Sequence, residues 1–136
     1  MANGWVSMSD TEKITINLGV VDLGQIDLLV GRGFYSNRTD FIRTAIRNHL
    51  SAHASDIRQT ETHSQFVIGI TYYNREDLEK VRARNEMLTI NVVGRLILAS
   101  DVTPELARAT IKSVRVLGGG LQASKEVKAA LADRLR

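Results

Sequence analysis

The chain has 136 residues, a hydrophobic fraction of 43% and a charged fraction of 24%, a globular composition with room for one large domain or two small ones. It contains no cysteine, which excludes a disulfide framework and a thiolate metal site and fits a reducing cytoplasm. A formal net charge of +3 is mildly basic and compatible with nucleic acid, and no apolar run approaches the roughly 18 residues that would span a bilayer.

Residues 1–12 are polar apart from Trp5, Val6 and Met8. They carry neither the basic segment nor the apolar stretch of a secretory signal and read as a flexible arm, with Trp5 expected to pack. From Lys13 the pattern changes to strict alternation. Lys13, Thr15 and Asn17 are polar, while Ile14, Ile16 and Leu18 are apolar, the two-residue period of a half-buried strand. A lone strand leaves its N–H and C=O ladder unpaired and only half a core beneath it. A second copy of the chain is the economical partner. Two such strands make an antiparallel ribbon with an apolar face on helices and a polar face outward, and a two-stranded ribbon fits the DNA major groove.

Two helical patterns follow. The first covers 22–32, with Asp22 as a cap or first-turn acid, Leu23, Ile26, Leu29 and Val30 on one stripe, and Gly33 as its stop. Phe34 and Tyr35 fill the turn. The second starts at Ser36 or Asn37, both good caps, and its buried face is Phe41, Ile42, Ala45, Ile46 and Leu50. A helix start offers unpaired N–H groups and the positive end of a dipole to phosphate, and Arg38 lies beside it. Arg43 and Arg47 repeat at four residues on another face, where a solvated surface, a pair with Asp40 and phosphate contact are the competing readings.

The order K-I-T-I-N-L, helix, G-F-Y-S-N-R-T-D-F-I-R-T-A-I-R resembles the ribbon-helix-helix family of DNA-binding regulators, the MetJ, Arc and CopG type. The resemblance implies a homodimer in which Lys13, Thr15 and Asn17 read base edges while Ser36, Asn37 and Arg38 grip phosphate. It also implies a dimer core of Ile14, Ile16, Leu18, Ile26, Phe41, Ile42 and Ile46. By their chemistry, Lys13 suits guanine, Asn17 suits adenine, and Thr15 takes a hydrogen bond or a thymine methyl. Gly24 and Gly31, inside the first helix, depart from good helix composition.

The stretch 53–65 is polar with a single Ile and reads as a linker, separating a DNA-binding domain over 13–52 from a C-terminal domain over 66–136. The second half contains a weak repeat. Gly69, Gly94 and Gly118 each follow two aliphatic residues at separations of 25 and 24, and Ala99-Ser100 recurs as Ala123-Ser124. Each copy reads as a strand and a helix, with helices over 75–84, 104–113 and 125–135 and Pro104 as a first-turn residue. The expected fold is therefore α+β: the ribbon-helix-helix module plus a small α/β domain of three strand–helix units. The alternative for the second half is a ferredoxin-like or ACT-like sheet, with 88–98 split into a hairpin around Gly94. Ferredoxin-like effector domains accompany the motif in the nickel-responsive regulators.

No catalytic pattern stands out: no Walker loop, nucleophile elbow or paired carboxylates. His49 and His53 are four apart, a chelating spacing on one helix face, but with His63 they supply no third well-placed ligand, so neither metal nor cofactor is expected. Gly118-Gly119-Gly120 reads as a tight turn or close backbone packing. The chain is thus expected to be no enzyme but a cytoplasmic, homodimeric, sequence-specific regulator of transcription, a repressor, with double-stranded DNA and itself as partners. The C-terminal domain would add oligomer contacts, up to a tetramer, or bind an effector. Two rivals remain: an antitoxin whose C-terminal half neutralises a toxin, and a structural assembly module.

Overall fold

The computed structural model describes residues 11–136, so the readings for Trp5, Val6 and Met8 lie outside the described residues. Its contacts divide the chain into two compact units, Lys13–Gln59 and Thr60–Arg136, the second of which includes Glu12.

In the first unit, helix α1 spans Val20–Gly31 and α2 spans Arg38–Ala52. Helix α1 begins two residues before the expected Asp22, which sits in its first turn. It ends in a Schellman arrangement. The Phe34 amide donates to Leu29 O and the Gly33 amide to Val30 O, both at 3.0 Å, with Gly33 at φ +86°. Helix α2 starts where expected, with Asn37 as its cap. The Tyr35 and Phe41 rings then meet edge to face, centroids 5.0 Å apart, which fixes the turn between the helices.

The stretch expected to be a linker is helical: α3 spans Ala54–Ser64. Its polarity suggested a loop, yet it contains neither Gly nor Pro and is rich in residues that helices accept. His53, with φ −104° and ψ 15°, is the single residue between α2 and α3. The helical bonding resumes at once, the Ile57 amide donating to His53 O at 3.0 Å.

The second unit contains the strand–helix units that the glycine repeat foretold. Strand β1 (Val67–Tyr73), helix α4 (Arg75–Ala83), β2 (Leu88–Leu98), α5 (Pro104–Thr110), β3 (Ile111–Gln122) and α6 (Lys125–Ala130) alternate, and a short 3-10 turn follows over Ala132–Arg134. The sheet is wholly parallel in the order β1-β2-β3. The hairpin alternative does not form, since 88–98 is one unbroken strand pairing on both sides. The helix expected over 104–113 stops at Thr110. Ile111, Val114 and Val116 lie in β3 instead, where β-branched residues and alternation favour a strand. Likewise the last helix ends at Ala130 rather than 135.

The helices pack on the sheet through a core that includes Leu78, Val92, Leu96, Leu106, Ile111 and Leu131. Each helix is capped by its own side chain: Asn74 for α4, in a full capping box with Asp77, Thr103 for α5 and Ser124 for α6. Near the C-terminus the Arg134 guanidinium donates to Arg108 O and Ile111 O at 2.6 and 2.7 Å, and Arg108 pairs with Asp133 at 3.0 Å. That pair lowers the Asp133 carboxyl below its usual pKa.

The three repeat glycines are register partners, Gly69 beside Gly94 beside Gly118. A Cβ on Gly94 would stand 2.0 Å from Gly69 O, so close approach of neighbouring strands demands glycine there. Gly119 has a different reason. Its missing side chain leaves room for the Arg95 guanidinium, whose nearest atom would lie 2.8 Å from a Cβ. Arg95 is only 12% exposed and pairs with Glu12 at 2.5 Å. Of the triple glycine, then, only Gly118 serves close backbone packing, and no tight turn forms because all three lie within β3.

Candidate nucleic-acid interface

The segment 13–18, expected as a strand, forms none in the single chain: among the described residues it has no backbone hydrogen-bond partner, and every residue in it is exposed. Ile14, Ile16 and Leu18 are 73%, 57% and 40% exposed, and among the described residues of the Lys13–Gln59 unit Ile26 alone is buried, at 7%. Of the other residues expected in a dimer core, Phe41 and Ile42 are half-buried and Ile46 is exposed. An alternating segment with three wet aliphatic side chains, next to two helices that bury one residue, leaves an apolar surface uncovered in the single chain. Lys13, Thr15 and Asn17 fall on the other parity of the same segment, which is the parity that faces outward when the aliphatic side chains are covered.

At the start of α2 each expected phosphate contact already has work within the chain. The Asn37 side chain accepts from the Asp40 amide at 2.8 Å, closing the cap. The Ser36 amide donates to Asp40 Oδ2 at 2.9 Å. Arg38 donates through Nε and Nη2 to the two carboxylate oxygens of Asp27, both at 2.8 Å. The hydrogen bond from Arg38 holds the Asp27 carboxyl below its ordinary pKa, and the same bond raises Arg38. Two carboxylates thus stand at a helix N-terminus, where the dipole favours anions.

Sequence alone offers Asp40 only as a partner for Arg43 and Arg47 and does not point to Asp27. Asp40 had a readable signal: Asn37-x-x-Asp40 is a cap followed by an acid three residues on. Asp27 had none, because its pairing with Arg38 runs between two helices at a separation of eleven residues. Asp40 is turned to the helix start, and Arg43 and Arg47 are exposed and form no ion pair among the described residues.

The two other constellations are also placed. The His49 and His53 rings meet edge to face at 5.1 Å, and His53 Nδ1 lies 3.2 Å from Asp56 Oδ2. Among the described residues no group of three His, Asp or Glu side chains is arranged to hold a metal, and no helix is long and apolar enough to cross a membrane.

Among the described residues, an alternating, exposed segment without strand pairing precedes two short helices, the second capped by Asn37, which is the element order of a ribbon-helix-helix module. The model of the Ribbon-Helix-Helix transcriptional regulator family matches residues 9–128, and the chain belongs to that family, one of DNA-binding, non-enzymatic regulators that typically dimerise. The match runs past the N-terminal module through β3 and into α6, so the parallel sheet lies within the family's matched region. No curated protein and no solved structure matches the chain.

Proposed function

We propose that the protein is a homodimeric, sequence-specific repressor that reads the major groove with a ribbon made of one 13–18 segment from each copy. The observation that carries this reading is the exposure of Ile14, Ile16 and Leu18 on the parity opposite Lys13, Thr15 and Asn17. Pairing two segments satisfies both backbone ladders, buries the aliphatic side chains on Ile26, Phe41, Ile42 and Ile46, and leaves six polar side chains facing base edges. At each flank, the start of α2 sets the register on phosphate. The amides of the first helical turn lack acceptors within the helix, and Arg38 exchanges its bond to Asp27 for one to a phosphate oxygen.

The second unit is folded, with its own core of packed aliphatic residues. That favours a regulator with an effector or assembly domain over an antitoxin, whose neutralising tail would need to order on its toxin. Retention of random duplexes by the purified protein, followed by sequencing, tests the function. Enrichment of a short motif with two half-sites is the expected result. Retention without sequence preference at every salt concentration overturns it.

A further inference from the structure

The face of α2 that leads away from the ribbon does not stop at Ala52. Ile46, Leu50, His53 and Ile57 follow one another at intervals of four, three and four residues, the spacing of a helix–helix seam. With Ala45 and His49 they line one open groove of about 700 Å³ that runs across the His53 junction from α2 to α3. Ile46, Leu50 and Ile57 are 47%, 54% and 37% exposed, although little in their setting except two imidazoles is polar. The groove begins at Ile46, a residue of the proposed dimer core, so it continues that core beyond the strand–helix–helix module.

We infer that this seam is the docking surface for the same seam of a second copy, with α2–α3 of one chain lying antiparallel to α2–α3 of the other. The inference rests on the ribbon dimer proposed above and adds α3 to its interface. Charge decides both the occupant and the direction. Beside the seam, the α2 end carries Arg43 and Arg47, whereas the α3 end carries Asp56, Arg58 and Glu61 and is net acidic. Antiparallel pairing brings each basic end to an acidic end and sets Ile46 opposite the partner's Ile57. Parallel pairing instead brings Asp56 beside the partner's Glu61, a like-charge contact.

The chain has no cysteine, so introduced thiols report the pairing without background. Positions 46 and 57 are about 16 Å apart along one helix path at ~1.5 Å per residue, too far to bridge within a chain. A chain carrying both Ile46→Cys and Ile57→Cys is expected to form intersubunit disulfides under mild oxidation, while each single variant stays unlinked. Ile57→Asp, exposed in the single chain and therefore tolerated by its fold, is expected to raise the dimer dissociation constant roughly tenfold or more in sedimentation equilibrium. A parent chain that dimerises while the double variant fails to cross-link and Ile57→Asp dissociates like the parent overturns the inference and leaves the ribbon dimer standing. Cross-linking of Ile57→Cys alone overturns the antiparallel direction. A monomeric parent chain overturns the ribbon dimer itself and the seam with it.

Discussion

Arg38 at the start of α2 holds Asp27 of α1 through two parallel hydrogen bonds of 2.8 Å, joining residues eleven apart in sequence. The residue proposed to meet DNA phosphate is therefore paired with a carboxylate in the free chain. Both side chains are about half exposed, so a phosphate competes for the fork without first opening a buried site. Asp27→Asn is expected to tighten binding to any duplex and to steepen the salt dependence by up to about one ion per Arg38 released. Arg38→Ala should weaken all sequences alike and flatten it. Titrating labelled specific and random duplexes at several salt concentrations reads both slopes.

The same pair has a pH signature. Asp27 titrates below its ordinary value because of the Arg38 hydrogen bond, so its carboxylate stabilises the fold at neutral pH and above. That contribution is lost as pH falls through the depressed value. Asp27→Asn should bring the urea midpoint of the parent closer to that of the variant in acid than at pH 7. A constant gap across the range would show that the pair contributes nothing to stability.

On the ribbon, Asn17→Ala and Lys13→Ala are each expected to cost about 1–3 kcal/mol of specific binding and to relax preference at one base pair per half-site. Non-specific affinity should change less for Asn17→Ala, which removes no charge. Gel shifts on the selected motif and on point-substituted versions of it check this, and parent-like binding by Asn17→Ala would remove it from the base-reading set.

Gly94 and Gly69 make a pair whose substitutions separate two kinds of cost. A Cβ on Gly94 would meet Gly69 O at 2.0 Å, whereas one on Gly69 meets nothing within 4 Å. Both residues have positive φ, +138° and +134°. Gly69→Ala should therefore lose only the backbone term, about 1–3 kcal/mol, while Gly94→Ala adds a clash in the middle of the sheet and should cost about 4 kcal/mol or more. Urea denaturation followed by circular dichroism ranks the two.

Those glycines also mark what a sequence reveals. Local signals gave the cap at Asn37 and periodicity the glycine spacing that became a ladder in register, because each is a local or repeating pattern, whereas the strand expected at 13–18 does not form in the single chain. Polarity misled at 53–65: solvated helices and loops share it, and only the lack of Gly and Pro separated them. Ile111 was placed on a helix because the chain passes from α5 into β3 without a turn residue to mark the change. The pairing of Asp27 with Arg38 and of Glu12 with Arg95 is tertiary, and no spacing rule reports it.

Asp40 gives the last prediction, because its two roles pull in opposite directions. Its carboxylate takes the Ser36 amide at 2.9 Å while its own amide is held by Asn37, so it closes the N-terminal turn of α2 from inside. It also places negative charge at the proposed phosphate contact. Asp40→Ala should cost about 1 kcal/mol of stability through the lost first-turn acid. The same change uncovers the Ser36 amide and removes a repulsion, so binding to any duplex at low salt should tighten while urea resistance falls. Asp40→Asn keeps a hydrogen-bond acceptor without the charge and should recover much of the stability while retaining the tighter binding. If both variants instead bind DNA more weakly in proportion to their loss of stability, Asp40 serves the helix alone and the start of α2 does not grip phosphate.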